Sequence, residues 1–292
     1  MSVADVRDRL GALEAHTGVN TLLLAASHID HDLLPPLDDA LARIGPTSRL
    51  DVVVHLRGGE VEAARRLATR LQAGAPRLRF IVPHACASSG TLMALAADEI
   101  LAGPLAMFSP IDPHLAGDGD RPDLPAVVSA EDLRRLPEAI EAWCGLAPDV
   151  AAARAQALLA ARFSAEALAT FERSVRAIEA AADALLARHV PAADARGAIV
   201  RALLQGYGSH DYAITGDELR ALGLPVARDP AIDALAWDVA CAVRRTIGPE
   251  SRTSFDEDWH DAAVADIRAV ALRRRTRGRR AGIWHAGATD GA

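Results

Sequence analysis

The sequence predicts a layered α/β fold with parallel strands. Two observations carry this. Short apolar runs of strand length alternate with helix-length segments, and the turns between them are short and rich in glycine and proline. One run, Leu50 to Leu56, is dense in β-branched residues and ends on Arg57-Gly58-Gly59, as a buried strand entering a sharp turn does.

Taken in order, Val3 to about His16 fits a short amphipathic helix with Ser2 as its cap. Thr21 to Ala26 reads as a strand. Asp30 to Ile44 reads as a helix interrupted early by Pro35 and Pro36. After the Leu50 strand, Glu60 to Ala73 has helical periodicity and Leu78 to Val82 is the next strand. A run of small residues from Ala85 to Gly90 leads into a helix over Thr91 to Ala97. Glu99 to Ala102 and Ala106 to Phe108 are short strands, and Gly117 to Pro125 is a flexible loop. Ala130 to Leu204 is alanine-rich and helical, broken near Gly145–Pro148 and Val190–Pro191. A capping box at Thr215 and Glu218 starts a helix that Gly223 ends. Asp233 to Ile247 is the last helix. These readings divide the chain into an α/β core (1–128), a helical arm (129–206), a segment returning to the core (207–248) and a polar, arginine-rich tail (249–292), expected to be disordered in part.

Composition narrows the function. The 292 residues are half hydrophobic but only 4% aromatic, so the core rests on aliphatic side chains. A net charge of −7 favours neither nucleic acid nor an anionic membrane as partner. Every basic residue is arginine; without lysine there is no Schiff base, Walker lysine or Ser–Lys dyad. Cys86, Cys144 and Cys241 lack the spacing of a disulfide framework or zinc site. The first twenty residues have no apolar h-region and no run of eighteen apolar residues occurs, so neither a signal peptide nor a membrane span is expected, and a cytoplasmic location is. No GxGxxG fingerprint appears, and no cofactor or metal is expected. His28, near Asp30 and Asp32, has the makings of a metal ligand but fits a surface loop better.

Two segments carry chemistry. In His55-Leu56-Arg57-Gly58-Gly59 the glycines let the backbone turn with its N–H groups open to a developing oxyanion. In Pro83 to Thr91 a serine stands between a strand and a helix among small neighbours. Read alone, this serine fits a helix cap better.

With Val82 to Ile100, Ser109-Pro110-Ile111-Asp112-Pro113 and His210 to Thr215 following in order, these segments resemble the serine dehydrogenase proteinase family. That family is related to signal peptide peptidase A and, more distantly, to the Clp protease and crotonases. The resemblance spans about residues 20 to 245. It implies a Clp protease/crotonase-like spiral of ββα units with a helical arm. It also implies an ATP-independent serine peptidase acting on peptides or proteins, assembled as a homo-oligomer built from trimers. Carried over, Ser88 is the nucleophile, Gly58, Gly59 and the Ser89 N–H form the oxyanion hole, and His210 and Asp112 complete a triad. A rival triad pairs Ser88 with His114 and Asp211. The chain departs from the family at Arg57, Ala87 and Ser89. Arg57 either binds a substrate carboxylate or blocks the cleft, and Ser89 and Cys86 are alternative nucleophiles. These departures leave open a catalytically degenerate scaffold that binds a peptide or partner. Crotonase-type acyl-thioester chemistry is a third reading.

Overall fold

The computed structural model describes residues 3–116, 127–248, 258–276 and 282–287. Helix α1 (Val3–Thr17) precedes strand β1 (Asn20–Ala26), and a 3-10 turn (His31–Leu33) opens α2 (Leu34–Ile44). Then follow β2 (Arg49–Leu56), α3 (Val61–Gly74), β3 (Arg77–Val82), β4 (Ala85–Cys86), α4 (Ser89–Ala94), β5 (Glu99–Ala102) and β6 (Met107–Phe108). Strands β7 (His114–Ala116) and β8 (Val127–Ser129) pair antiparallel outside the main sheet. The helical region holds α5 (Ala130–Arg134), α6 (Leu136–Cys144), α7 (Pro148–Arg162), α8 (Ala165–Leu186) and α9 (Ala193–Gln205). The chain returns through α10 (Gly216–Ala221), β9 (Val226–Ala227) and α11 (Pro230–Thr246), and then enters β10 (Asp258–Ala265), β11 (Val270–Thr276) and β12 (Ile283–Ala286).

The main sheet runs β12-β11-β10-β1-β2-β3-β5-β9, with β4 beside the end of β2 and paired to β6. Strands β1, β2, β3, β5 and β9 are parallel, as the alternation predicted. They read as continuous apolar runs because both faces are covered. Leu22, Leu24, Val52, Val54 and Phe80 face one core, shared with α2, α3, α8 and α9. Leu23, Val53, Ile81 and Leu101 alternate onto the other face, against α1 and α11. Among the described residues no helix is long and apolar enough to cross a membrane.

Two expectations change. Pro35 and Pro36 do not interrupt α2; they stand in its first turn, where a missing N–H has no intrahelical acceptor to lose. The second change is larger. Residues 258–276 are not a solvated tail. Strand β10 pairs antiparallel with β1, and β11 with β10. Arg273 is fully buried on β11, and Arg275 nearly so, because Asp261 and Asp30 neutralise them. Arg274 is exposed, while Arg277, Arg279 and Arg280, like Gly117 to Pro125 and Ser2, lie outside the described residues.

His55 ends β2 as a buried imidazole, stacked on His84 at a centroid distance of 5.8 Å. Burial, helped by the nearby Arg57 charge, pushes its pKa down to about 4. The unfolded chain therefore takes up this proton first. The stability held by neutral His55 is complete above the unfolded value of about 6.5 and is lost as pH falls from there toward about 4, at most ~3 kcal/mol. Urea unfolding at pH 7 and pH 4.5 should show a smaller acid loss in His55→Gln than in wild type; equal losses would rule His55 out as a source.

Candidate active site

The site is built where the parallel strands end. After β1 and β2 run side by side, their continuations stay in contact. Ile29 N–H donates to Gly58 O at 2.8 Å, and Glu60 N–H donates to Ile29 O at 2.8 Å. Gly59 lies so close that a Cβ there would sit 2.3 Å from Ile29 O, and its φ is +145°. Gly58, at φ +112°, faces Ser88: a Cβ on it would approach the Ser88 Cβ to 2.9 Å. Both glycines are therefore demanded by backbone shape and by space. Among the described residues the N–H groups of Gly58, Gly59 and Ser89 donate to no partner.

Ser88 holds the turn between β4 and α4 at φ +54° and ψ −120°, and is the positive-φ non-glycine residue among those described. Such a backbone costs on the order of 1–3 kcal/mol and persists only where its surroundings enforce it. Here Ser88 N–H donates to Ser109 Oγ at 2.8 Å, and Thr91 Oγ1 donates to Cys86 O at 2.8 Å. Ser89 is buried, and its hydroxyl donates to Gly59 O at 2.6 Å. That hydroxyl is thus a strut between the serine turn and the glycine loop. Cys86 is fully buried, its thiol bonded to Gly90 O, and burial pushes its pKa far up, so thiolate chemistry is closed to it.

Asp112 and His210 are brought together from 98 residues apart: His210 Nδ1 lies 2.7 Å from Asp112 Oδ1. Asp112 is buried. Burial alone favours its neutral acid, but the adjacent His114 ring and the hydrogen bonds from His210 and Ser129 outweigh this and hold the carboxyl below the usual carboxylate range. It stays ionised and accepts the His210 Nδ1–H, which leaves Nε2 as the acceptor nitrogen of the ring. His114 stands beside this pair, its ring centroid 3.6 Å from that of His210 and its Nε2 3.6 Å from Asp112 Oδ2. Asp211 is exposed and its carboxylate bonds no described residue, so His114 leans on Asp112 instead. Asp112, His114 and His210 each offer a ligand atom within 4.8 Å of one another and have the chemistry to hold a metal ion.

Ser88, Gly58, Gly59, Ser89, Asp112, His114, His210 and Arg57 line one open cleft of about 740 Å³. The Ser88 hydroxyl bonds no described residue; catalytic hydrogen bonds often tighten only around substrate. Arg57 is exposed at the rim, with no ion-pair partner among the described residues. His28 also lines the cleft, but the carboxylate of Asp30 is taken by Arg273. Sequence reasoning missed Ser129, whose hydroxyl donates to Asp112 from a separate strand pair, and the role of Ser109. Ser109 stands in a recognised motif and could have been flagged; nothing around Ser129 points to it.

Gly59→Ala should shift the loop or destabilise the chain by about 2–4 kcal/mol, since its Cβ would meet backbone atoms that cannot rotate away. Urea denaturation measures this; an unchanged midpoint and unchanged amide exchange across residues 57–60 would contradict the geometry.

The chain is similar to several known proteins. Two uncharacterized proteins of Methanocaldococcus jannaschii, MJ0137 and MJ1495, are 30% and 26% identical to the chain, each over 177 residues, or 61% of it. The chain spans about half the length of these relatives, 53% and 51% respectively. Two solved structures of the 1510-N membrane-bound stomatin-specific protease overlay with TM-scores of 0.45 and 0.44 at 16% and 15% identity. One is a serine-to-alanine mutant and the other a lysine-to-alanine mutant with a substrate peptide; they cover 72% of this chain and 79% and 74% of theirs. Through residues 40–141, which hold both loop glycines, Ser88 and Asp112, the chain matches the ClpP-like SDH-type serine proteinase family, with the Clp protease/crotonase-like fold that its motifs indicated.

Proposed function

We propose that the protein is a serine peptidase with Ser88 as nucleophile, His210 as base and Asp112 as its orienting carboxylate. The observation that carries this reading is the Asp112–His210 hydrogen bond, assembled across the fold on the same cleft as the strained Ser88 turn. Ser88 Oγ attacks a peptide carbonyl and gives its proton to His210 Nε2. The tetrahedral oxyanion is received by the free N–H groups of Gly58, Gly59 and Ser89. His210 then protonates the leaving amine, and the acyl-enzyme is hydrolysed by water in the reverse sense. Ionised Asp112 stabilises the imidazolium formed on the way.

The rival triad is weaker, because Asp211 does not orient His114. The resemblance to the family implies activity without ATP. The α6–α7 hairpin exposes Trp143, Val150 and Leu158, which favours self-association of the chain, and a trimer-based assembly is part of this reading. The cysteines Cys86, Cys144 and Cys241 are free thiols, as a reducing cytoplasm allows.

Hydrolysis of a fluorescently quenched protein substrate should fall by about 10³-fold or more in Ser88→Ala and His210→Ala, with folding intact. His114→Ala should cost less than His210→Ala; the reverse order would transfer the base role to His114. A chelator should leave the rate unchanged, whereas loss of activity restored by a divalent metal would replace the serine mechanism with one at the Asp112, His114 and His210 cluster.

A further inference from the structure

The arginine-rich C-terminal strand reaches the back of the active site. Arg273 on β11 is fully buried, capped by the Trp284 ring at 5.6 Å from its guanidinium carbon. Nε and Nη2 donate to Asp261 at 2.9 and 3.1 Å. Nη1 donates to both carboxylate oxygens of Asp30, at 2.6 and 2.7 Å, and Nη2 also donates to His28 O at 3.1 Å. Arg275 adds a bond to Asp261 at 2.7 Å, so two arginines face two aspartates in a nearly closed charge cluster.

Arg273 therefore grips the residues on both sides of Ile29. Ile29 is the residue whose N–H and C=O hold Gly58 and Glu60, with Gly59 pressed against its backbone. The β1 continuation is tied again from behind, since Ser27 N–H donates to Asp261 O at 2.9 Å. A flexible glycine pair has no side chain of its own to fix its direction. The rigidity that aims its N–H groups must come from a neighbour, and Arg273 is the side chain that holds that neighbour. An arginine suits the task because its planar fork makes five hydrogen bonds to two carboxylates and a carbonyl, whereas an ammonium has three N–H groups.

We propose that Arg273 is a positioning residue for the oxyanion loop, acting through His28 and Asp30 on Ile29 and so on Gly58 and Gly59. This rests on the serine-peptidase reading for its catalytic consequence, and on geometry alone for its effect on the loop.

The test compares wild type with Asp30→Asn, which weakens one arm of the clamp and keeps the Arg273–Asp261 pair, and with Arg273→Lys. Two readouts are taken on the full chain: amide hydrogen exchange, and the rate of covalent labelling by a fluorophosphonate. Asp30→Asn should stay folded, with exchange across residues 57–60 faster by about tenfold while β2 and β3 keep wild-type protection. Its labelling rate should fall about 10- to 100-fold, with the reagent concentration giving half-maximal rate unchanged. Arg273→Lys should do the same more strongly. Exchange that rises uniformly over the sheet, or labelling as fast as wild type in a variant with a loosened loop, would reduce Arg273 to a structural ion pair. If wild type takes no label, the peptidase reading falls, and the exchange comparison alone decides whether Arg273 holds the loop.

Discussion

The active-site geometry depends on one backbone contact, the approach of Ile29 to Gly59. Strands β1 and β2 are parallel neighbours, and beyond their ends Ile29 keeps the ladder going by bonding Gly58 and Glu60. That contact fixes the height of the glycine loop over the sheet. Ser89 then ties the loop to the Ser88 turn through Gly59 O, and Gly58 closes on Ser88 with no room for a side chain. The loop N–H groups and the serine are thus set relative to each other by main-chain contacts and one hydroxyl strut. Neither glycine could be replaced without moving the other half of the site.

Among the described residues, each buried arginine is matched by carboxylates. Arg79 is held by Asp51 at one end of the sheet, and Arg273 and Arg275 by Asp261 and Asp30 at the other. Asp112 differs: a buried carboxylate that faces no arginine is kept ionised by two histidines and the Ser129 hydroxyl. A carboxylate so placed directs its charge into the His210 ring. At the cleft rim Arg57 is the contrasting case, an exposed cation beside the loop without an ion-pair partner among the described residues.

Much of this was legible in the sequence. The parallel strands announced themselves as apolar runs because they are covered on both faces, and the α10 capping box and the glycine pair have local chemical signatures. Ser88, Asp112 and His210 were placed by ordered motifs, and the fold sets the latter two in contact. What failed to show were features made by distance. Strands β10 and β11 carry Asp261, Arg273 and Arg275 inward, so their polarity read as solvent exposure; the pairing that cancels these charges spans 243 residues for Asp30 and Arg273. Ser129 reaches Asp112 from an antiparallel pair with no motif around it. The Ser89 hydroxyl bond to Gly59 O did not show because its acceptor lies 30 residues away.

The central claim is that Ser88 is an activated nucleophile. Intact-mass spectrometry after fluorophosphonate treatment, with peptide mapping of the product, tests it most directly. The account predicts one adduct per chain, located on Ser88 and absent from Ser88→Ala. An adduct on Ser89, or a folded wild-type chain that takes none, would contradict it.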